Sequence, residues 1–293
     1  MEFREININD RAWINELLKA SDFMGCEYMF ANNMAWRRLN DTLITRYKDF
    51  YVLCSFDDGQ MYFTYPAGHG DIDDVICEMK SHSEKASSKL IISSVTKENL
   101  SYFTEKYGDG VEITTDPSGY DYIYNSSDLI NLSGKKYHSK RNHIKNFKKN
   151  DWSYKRLEKS DFADCITFAA ENYNNGDGYD SYSSIVEQYA INMYFTYYDE
   201  MELRGGILRC DGKIVGFTIG EPLNSQTFDV HIEKALPEVQ GAYPTLCNEF
   251  LKAEASDYKY INREEDLGIE GLRKSKMSYH PAFLLEKYTV RFK

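Results

Sequence analysis

Tyr260-Ile261-Asn262-Arg263-Glu264-Glu265-Asp266-Leu267-Gly268 reads as a short strand running straight into three consecutive carboxylates. Gly271-Leu272-Arg273-Lys274-Ser275-Lys276 follows at once. Carboxylates crowded at a strand end repel one another unless cations or ligand donors stand close, and Arg263, Arg273, Lys274 and Lys276 are the local candidates. The pattern is that of a polar site at the edge of an α/β sheet.

The same grammar recurs upstream. Residues 50–56, the turn Asp57-Asp58-Gly59 and residues 60–65 give strand, tight turn, strand, stopped by Pro66 and Gly68. Before them, Trp13, Ile14, Leu17 and Leu18 make a helical stripe after Asp10, and 30–39 is amphipathic. After them come a helix over 72–83, a strand over 89–94 and a helix over 97–107. In the second half, 204–210, Asp211-Gly212-Lys213 and 214–221 repeat the hairpin, ended by Pro222. A strand over 227–234, a helix over 244–255, a strand over 258–262, a helix over 269–279 stopped by Pro281, and a closing strand over 283–292 complete the pattern. Segments 97–124 and 269–292 share one layout, helix then tyrosine-rich strand. This predicts two related α/β units with mixed sheets: an N-terminal domain over 1–130, a basic linker helix over 131–150 and a C-terminal domain over 151–293.

The bulk numbers bound the function. A chain of 293 residues with 24 tyrosines and 16 phenylalanines has ample material for a ring-rich core. Six scattered cysteines without a Cys-x-x-Cys pair suggest reduced, mostly buried thiols in a cytoplasmic protein and give no zinc site. No apolar run approaches the ~20 residues of a membrane span, and the first residues lack a basic-then-apolar signal. The net charge of -11 argues against indiscriminate binding to nucleic acid or anionic membranes, and no sequence-specific DNA contact is expected. Yet residues 129–150 hold no acidic side chain and gather Lys135, Lys136, Lys140, Arg141, Lys145, Lys148 and Lys149. That island is either a solvated linker helix or a site for phosphates.

His231-x-Glu233 lies on a strand, which places both side chains on one face, with Glu221 ending the neighbouring strand. The group reads as a general base or as a sheet-crossing ion pair. Gln240 and Gly241 precede a helix whose first amides suit a pyrophosphate. Asp177 sits among turn formers and reads as an exposed turn first, a substrate loop second.

Three stretches carry a resemblance: Gly134-Lys135-Lys136-Tyr137-His138-Ser139-Lys140-Arg141-Asn142-His143, then His231-Ile232-Glu233-Lys234-Ala235, then the Asn262 to Gly268 run with Gly271 to Lys276. They resemble a bacterial family related to the C-terminal catalytic domain of phosphatidylglycerol lysyltransferases, over nearly the whole chain. The resemblance implies tandem GCN5-related N-acetyltransferase-like (GNAT-like) domains, as in the Fem-type aminoacyltransferases. It also implies transfer of an aminoacyl group from aminoacyl-tRNA to an amine or hydroxyl acceptor. On that reading His231 or Glu233 accepts the proton, and Glu265 and Asp266 join them in the catalytic set. Lys140, Arg141 and Lys145 bind donor phosphates, and Glu264, Glu265 or Asp266 binds the α-amine of the aminoacyl group or the acceptor amine. Arg273 and Lys276 hold a second anion or the oxyanion, with Arg263, Gln240 and Gly241 completing the substrate contacts. Of the acetyltransferase pyrophosphate loop only Gln240-Gly241-Ala242 is present. A CoA-dependent N-acyltransferase and a non-catalytic small-anion binder on the same scaffold are the alternatives, and no metal is expected.

Overall fold

Both Asp-Gly turns fold as the sequence predicts. Asp58 and Gly59 take φ of 47° and 73°, and Asp211 and Gly212 take 50° and 75°. This is the left-handed pair of a two-residue hairpin turn, which Asp and Gly adopt at little cost. The computed structural model describes residues 1–172 and 181–293, so the stretch around Asp177 lies outside the described residues.

Two compact units form, and neither is contiguous in sequence. The first comprises residues 1–121, 265–268 and 284–293, and the second 122–264 and 269–283. In chain order the strands of the first half are β1 (Arg4–Glu5), β2 (Leu43–Tyr47), β3 (Phe50–Asp57), β4 (Gln60–Thr64), β5 (Ala67–Gly68), β6 (Ile91–Thr96) and β7 (Val111–Thr115). Its helices are α1 (Arg11–Ser21), α2 (Phe30–Ala35), α3 (Ile72–Lys85) and α4 (Lys97–Tyr107). Then follow β8 (Asp121–Asn125), α5 (Ser126–Asn131), α6 (His138–Phe147), β9 (Trp152–Arg156), α7 (Lys159–Glu171), α8 (Ser181–Thr196), β10 (Arg204–Cys210), β11 (Lys213–Pro222) and β12 (Thr227–Ala235). The chain ends with α9 (Ala242–Glu254), β13 (Tyr260–Asn262), α10 (Glu270–Met277), β14 (Phe283–Leu285) and β15 (Lys287–Phe292).

One sheet runs β1-β2-β3-β4-β6-β15-β7 with β5 on β3, the other β14-β8-β13-β12-β11-β10-β9. Each is completed by a strand from the other half of the sequence: β15 lies between β6 and β7, and β8 between β13 and β14. This corrects the division at 130 and 150. The expected closing strand over 283–292 is two strands in two sheets, broken at Glu286. The basic helix is no linker either, since Phe147 of α6 packs with Ala242 and Leu246 of α9 in the core of the second unit.

In the first unit α3 buries Val75, Ile76 and Met79 in one cluster with Phe63, Ile92, Phe103, Val290 and Phe292. Each such side chain contributes about 1.5–3 kcal/mol, which ties β15 to this sheet. In the second unit Phe168 of α7 and Phe195 of α8 pack on Phe217 of β11, with ring centroids 6.1 and 5.7 Å away. Phe250 of α9 meets Phe228 of β12 at 5.8 Å, so the two helical layers use different faces of the sheet.

Polar pairing reinforces β15. The Lys287 ammonium lies 2.6 Å from Asp121, 3.0 Å from Glu265 and 2.9 Å from Glu27, with the Cys26 thiol at 3.6 Å. Burial holds the Asp121 carboxyl up at about 7 against the pull of Lys287. Glu265, for all its burial, lies below the ordinary range because Lys287 and the Cys26 thiol favour its charge. Cys26, Glu27, Asp121 and Glu265 stand close enough to share an ion, but the lysine ammonium already contacts all four. Lys287→Met leaves three carboxylates without their cation and is expected to cost about 3–5 kcal/mol, the range for one partner of a buried pair. Urea unfolding at unchanged m reads this directly, and a loss below about 1 kcal/mol contradicts it.

Candidate functional site

β12 and β13 are parallel neighbours, paired only from Thr227–Tyr260 to Asp229–Asn262. Beyond Asn262 the chain follows β8 instead: Arg263 N donates to Tyr122 O at 3.1 Å and Tyr122 N to Glu264 O at 3.2 Å. β12 meanwhile continues to Ala235. The two strands therefore part at their carboxyl ends, where open α/β sheets place ligands. Asn262 sets the next residue, because its buried side-chain oxygen accepts from Glu264 N at 2.7 Å and holds Glu264 at φ 55°. Such left-handed strain in a non-glycine residue concentrates at functional sites.

That turn aims Glu264 back at β12. His231 Nδ1 lies 3.2 Å from Glu264 Oε1 and 3.1 Å from Asp229 Oδ2, and its Nε2 lies 3.1 Å from Glu221 Oε1. Tyr194 of α8 stacks on the imidazole with centroids 5.0 Å apart. Burial opposes a charge on this ring, but Tyr194 and the three carboxylates outweigh it and hold the imidazole well above its usual value. These surroundings favour the imidazolium, a form that donates a proton rather than accepting one. Asp229, His231 and Glu264 stand near enough to ligate an ion, and in this arrangement both ring nitrogens of His231 face carboxylate oxygens. Three carboxylates around one cation leave the cluster net negative. The Glu221 and Glu264 side chains, 12% and 17% exposed, form its outer rim.

The expectation that His231 and Glu233 share a face fails for a local reason. Ile232 pairs with Ile219 and Val230 with Gly220, leaving His231 as the extra residue of a bulge. His231 therefore turns to α8, whereas Glu233 joins Arg263 at 2.8 Å and neighbours the Cys247 thiol of α9. The Arg263 guanidinium lies 4.9 Å from the Tyr279 ring, and Lys276 Nζ donates to Arg263 O at 2.6 Å. Lys276 thus braces the β13 exit rather than facing a ligand.

The other sequence candidates disperse. Lys140 donates to Ser278 at 2.8 Å and lies 3.7 Å over the Tyr279 ring, where burial and Arg263 push its amine down to about 8. Arg141 and Lys145 project from another side of α6, into a pocket of about 390 Å³. Gly241 has φ 88°, and a Cβ there would stand 2.5 Å from His143 O, so the bare backbone serves contact with α6. Gln240 and Arg273 are exposed. Glu265 and Asp266 belong to the first unit, where Asp266 Oδ1 accepts from Gly268 N at 2.8 Å and shapes a turn. Asp229 and Tyr194 were missed. The period-two spacing Asp229-x-His231 was a usable signal for the first, and nothing local marked the second.

The first unit repeats the parallel pair, with Phe63–Ile92 and Thr64–Ser93 joining β4 and β6. Its exit is occupied by Tyr28, whose hydroxyl donates to Tyr65 O at 3.1 Å and Ser94 O at 3.3 Å. Phe23 packs beside it, 4.7 Å from the Tyr28 ring.

Residues 19–291 match the family described as "Phosphatidylglycerol lysyltransferase, C-terminal". A conserved protein of unknown function from Bacteroides thetaiotaomicron superposes with TM-score 0.94 at 36% identity, over 100% of both chains. The C-terminal domain of a putative lysylphosphatidylglycerol synthetase from Agrobacterium fabrum gives 0.65 at 13% identity, over 97% of this chain and 91% of that one. FemX gives 0.63 at 8% identity, over 99% and 97%. The fold is the tandem GNAT-like arrangement with mixed sheets. Family and fold together support a transferase of the acyl or aminoacyl class.

The raised imidazole fixes a sign. A group whose folded pKa exceeds its unfolded value stabilises fully below the unfolded value, about 6.5 for histidine, and loses that contribution as pH climbs through the folded one. The stability advantage of the wild type over His231→Gln is therefore largest in mild acid and shrinks in alkali. Chemical denaturation across pH checks this, and an advantage independent of pH, or an NMR titration midpoint at or below about 6.5, contradicts it.

Proposed function

The chain belongs to the phosphatidylglycerol lysyltransferase C-terminal family, and on that premise we propose that it transfers an aminoacyl group from an aminoacyl-RNA donor to an amine or hydroxyl acceptor. The observation that carries the reading is the net negative crevice where β12 and β13 part, with Glu221, Asp229 and Glu264 around His231. An aminoacyl ester differs from a plain acyl ester by its ammonium group, and a rim of two part-exposed carboxylates is the complement of that cation. His231 orients both rim carboxylates, since each spends one oxygen on the ring. Holding the ester by its ammonium places the carbonyl for attack, and such orientation supplies much of the rate in transfer reactions.

The test is loss of labelled aminoacyl group from an RNA minihelix in the presence of amine and hydroxyl acceptors. Glu264→Gln removes one charged contact, worth about 1.5–3 kcal/mol, so kcat/KM is expected to fall about 10- to 100-fold. A donor with its amine acetylated should be equally poor with wild type and variant. Equal turnover of free and acetylated donors by the wild type overturns the reading.

A further inference from the structure

Outside the crevice, the second unit carries a pocket whose lining includes Leu132, Arg141, Ile144, Lys145, Lys148 and Lys252. At about 390 Å³ it falls within the range of ligand pockets, roughly 300–1,000 Å³. Leu132 and Ile144 are buried and give it an apolar floor, while four cations stand around that floor. We propose that this pocket seats one nucleotide of an RNA strand, with its phosphate against Arg141 and Lys145 and its sugar or base over Leu132 and Ile144. The proposal rests on the aminoacyl-RNA reading and adds where the donor is gripped.

Four features point this way. Arg141 Nη1 donates to Leu132 O and to Gly134 O, the latter at 2.7 Å, which fixes the guanidinium in place. Its Nε and Nη2 find no acceptor among the described residues and remain for a phosphate fork. Lys145 makes no hydrogen bond or ion pair among the described residues, so its charge is uncommitted. Lys148 and Lys252 both lean on Glu249, at 2.7 and 3.4 Å, which leaves four cations against one carboxylate. Finally, Leu132 is held at φ 48°, a costly conformation for a leucine. The Arg141 bond to its carbonyl and two bonds from Asn248 Nδ2 to Leu129 O and Ile130 O, both 2.8 Å, maintain the turn. A solvated helix face requires neither this brace nor an apolar floor. Inorganic phosphate alone would use the cations but not the floor, whereas stacking or packing a sugar and base uses both.

Lys145→Glu reverses one pocket charge without breaking an internal bond, and Lys135→Glu makes the same charge change on an exposed lysine outside the pocket. Fluorescence anisotropy with a labelled RNA hairpin bearing a single-stranded 3′ end, repeated at several KCl concentrations, compares them with wild type. Lys145→Glu is expected to weaken binding about tenfold and to lower the slope of log K against log salt by about 1. Lys135→Glu should change either quantity much less. Equal losses in the two variants would assign the effect to overall charge and overturn the pocket. An unchanged Lys145→Glu would overturn the pocket alone and leave the donor reading standing. If the wild type binds no RNA, the donor reading falls with the pocket. Binding to vesicles of anionic phospholipid but not to RNA, or full competition by inorganic phosphate at concentrations comparable to the RNA, also overturns it.

Discussion

The parting of β12 from β13 after Asn262 is the constraint on which the rest of the second unit depends. Three residue pairs hold the strands together. Past that point β13 is claimed by β8 through Tyr122, and β12 goes on alone on that side. Backbone polar groups at such a split are costly to leave bare, so side chains have to stabilise the exit. Glu233 and Arg263 clamp one face of the sheet and His231 and Glu264 the other. Lys276 and Asn262 fix the backbone between them. Structure and site are the same set of interactions here, and that is why a run of three carboxylates can stand at a strand end.

Charge balance separates the two faces. On the α8 side three carboxylates share one imidazolium, so a further cation is electrostatically welcome. On the α6 and α9 side Arg263 is matched by Glu233, and Lys140 beside them is driven toward its neutral form. The basic pocket is a third environment, assembled from another side of α6. Arg141 and Lys145, one helical turn apart, share that pocket, whereas helical geometry sends the adjacent Lys140 to Ser278 and Tyr279. A linear reading grouped all three, and the fold keeps only two of them together.

Local chemistry was legible and long-range chemistry was not. Both Asp-Gly hairpins were readable because a two-residue turn is decided by the φ that Asp and Gly tolerate. The polar strand end at Arg263 and Glu264 was readable because charge crowding is visible without a partner. The bulge at His231 was not, since one extra residue in β12 shows only against the register of β11. Nor was the Lys287 cluster, whose members come from positions 26, 27, 121, 265 and 287 and meet only after strand exchange. The same exchange defeated the contiguous domain boundaries. β8 and β15 have ordinary strand sequences, and nothing in them records which sheet each will complete.

The central claim is that the β12–β13 crevice holds the ammonium of an aminoacyl donor. Its most direct test is a crystal structure with an amide-linked 3′-aminoacyl-adenosine, which cannot be turned over. The account predicts the ligand ammonium within hydrogen-bonding distance of Glu221 and Glu264, with His231 still bridging them. An aminoacyl group bound elsewhere, or seated in the crevice with its amine turned away from both carboxylates, would contradict it.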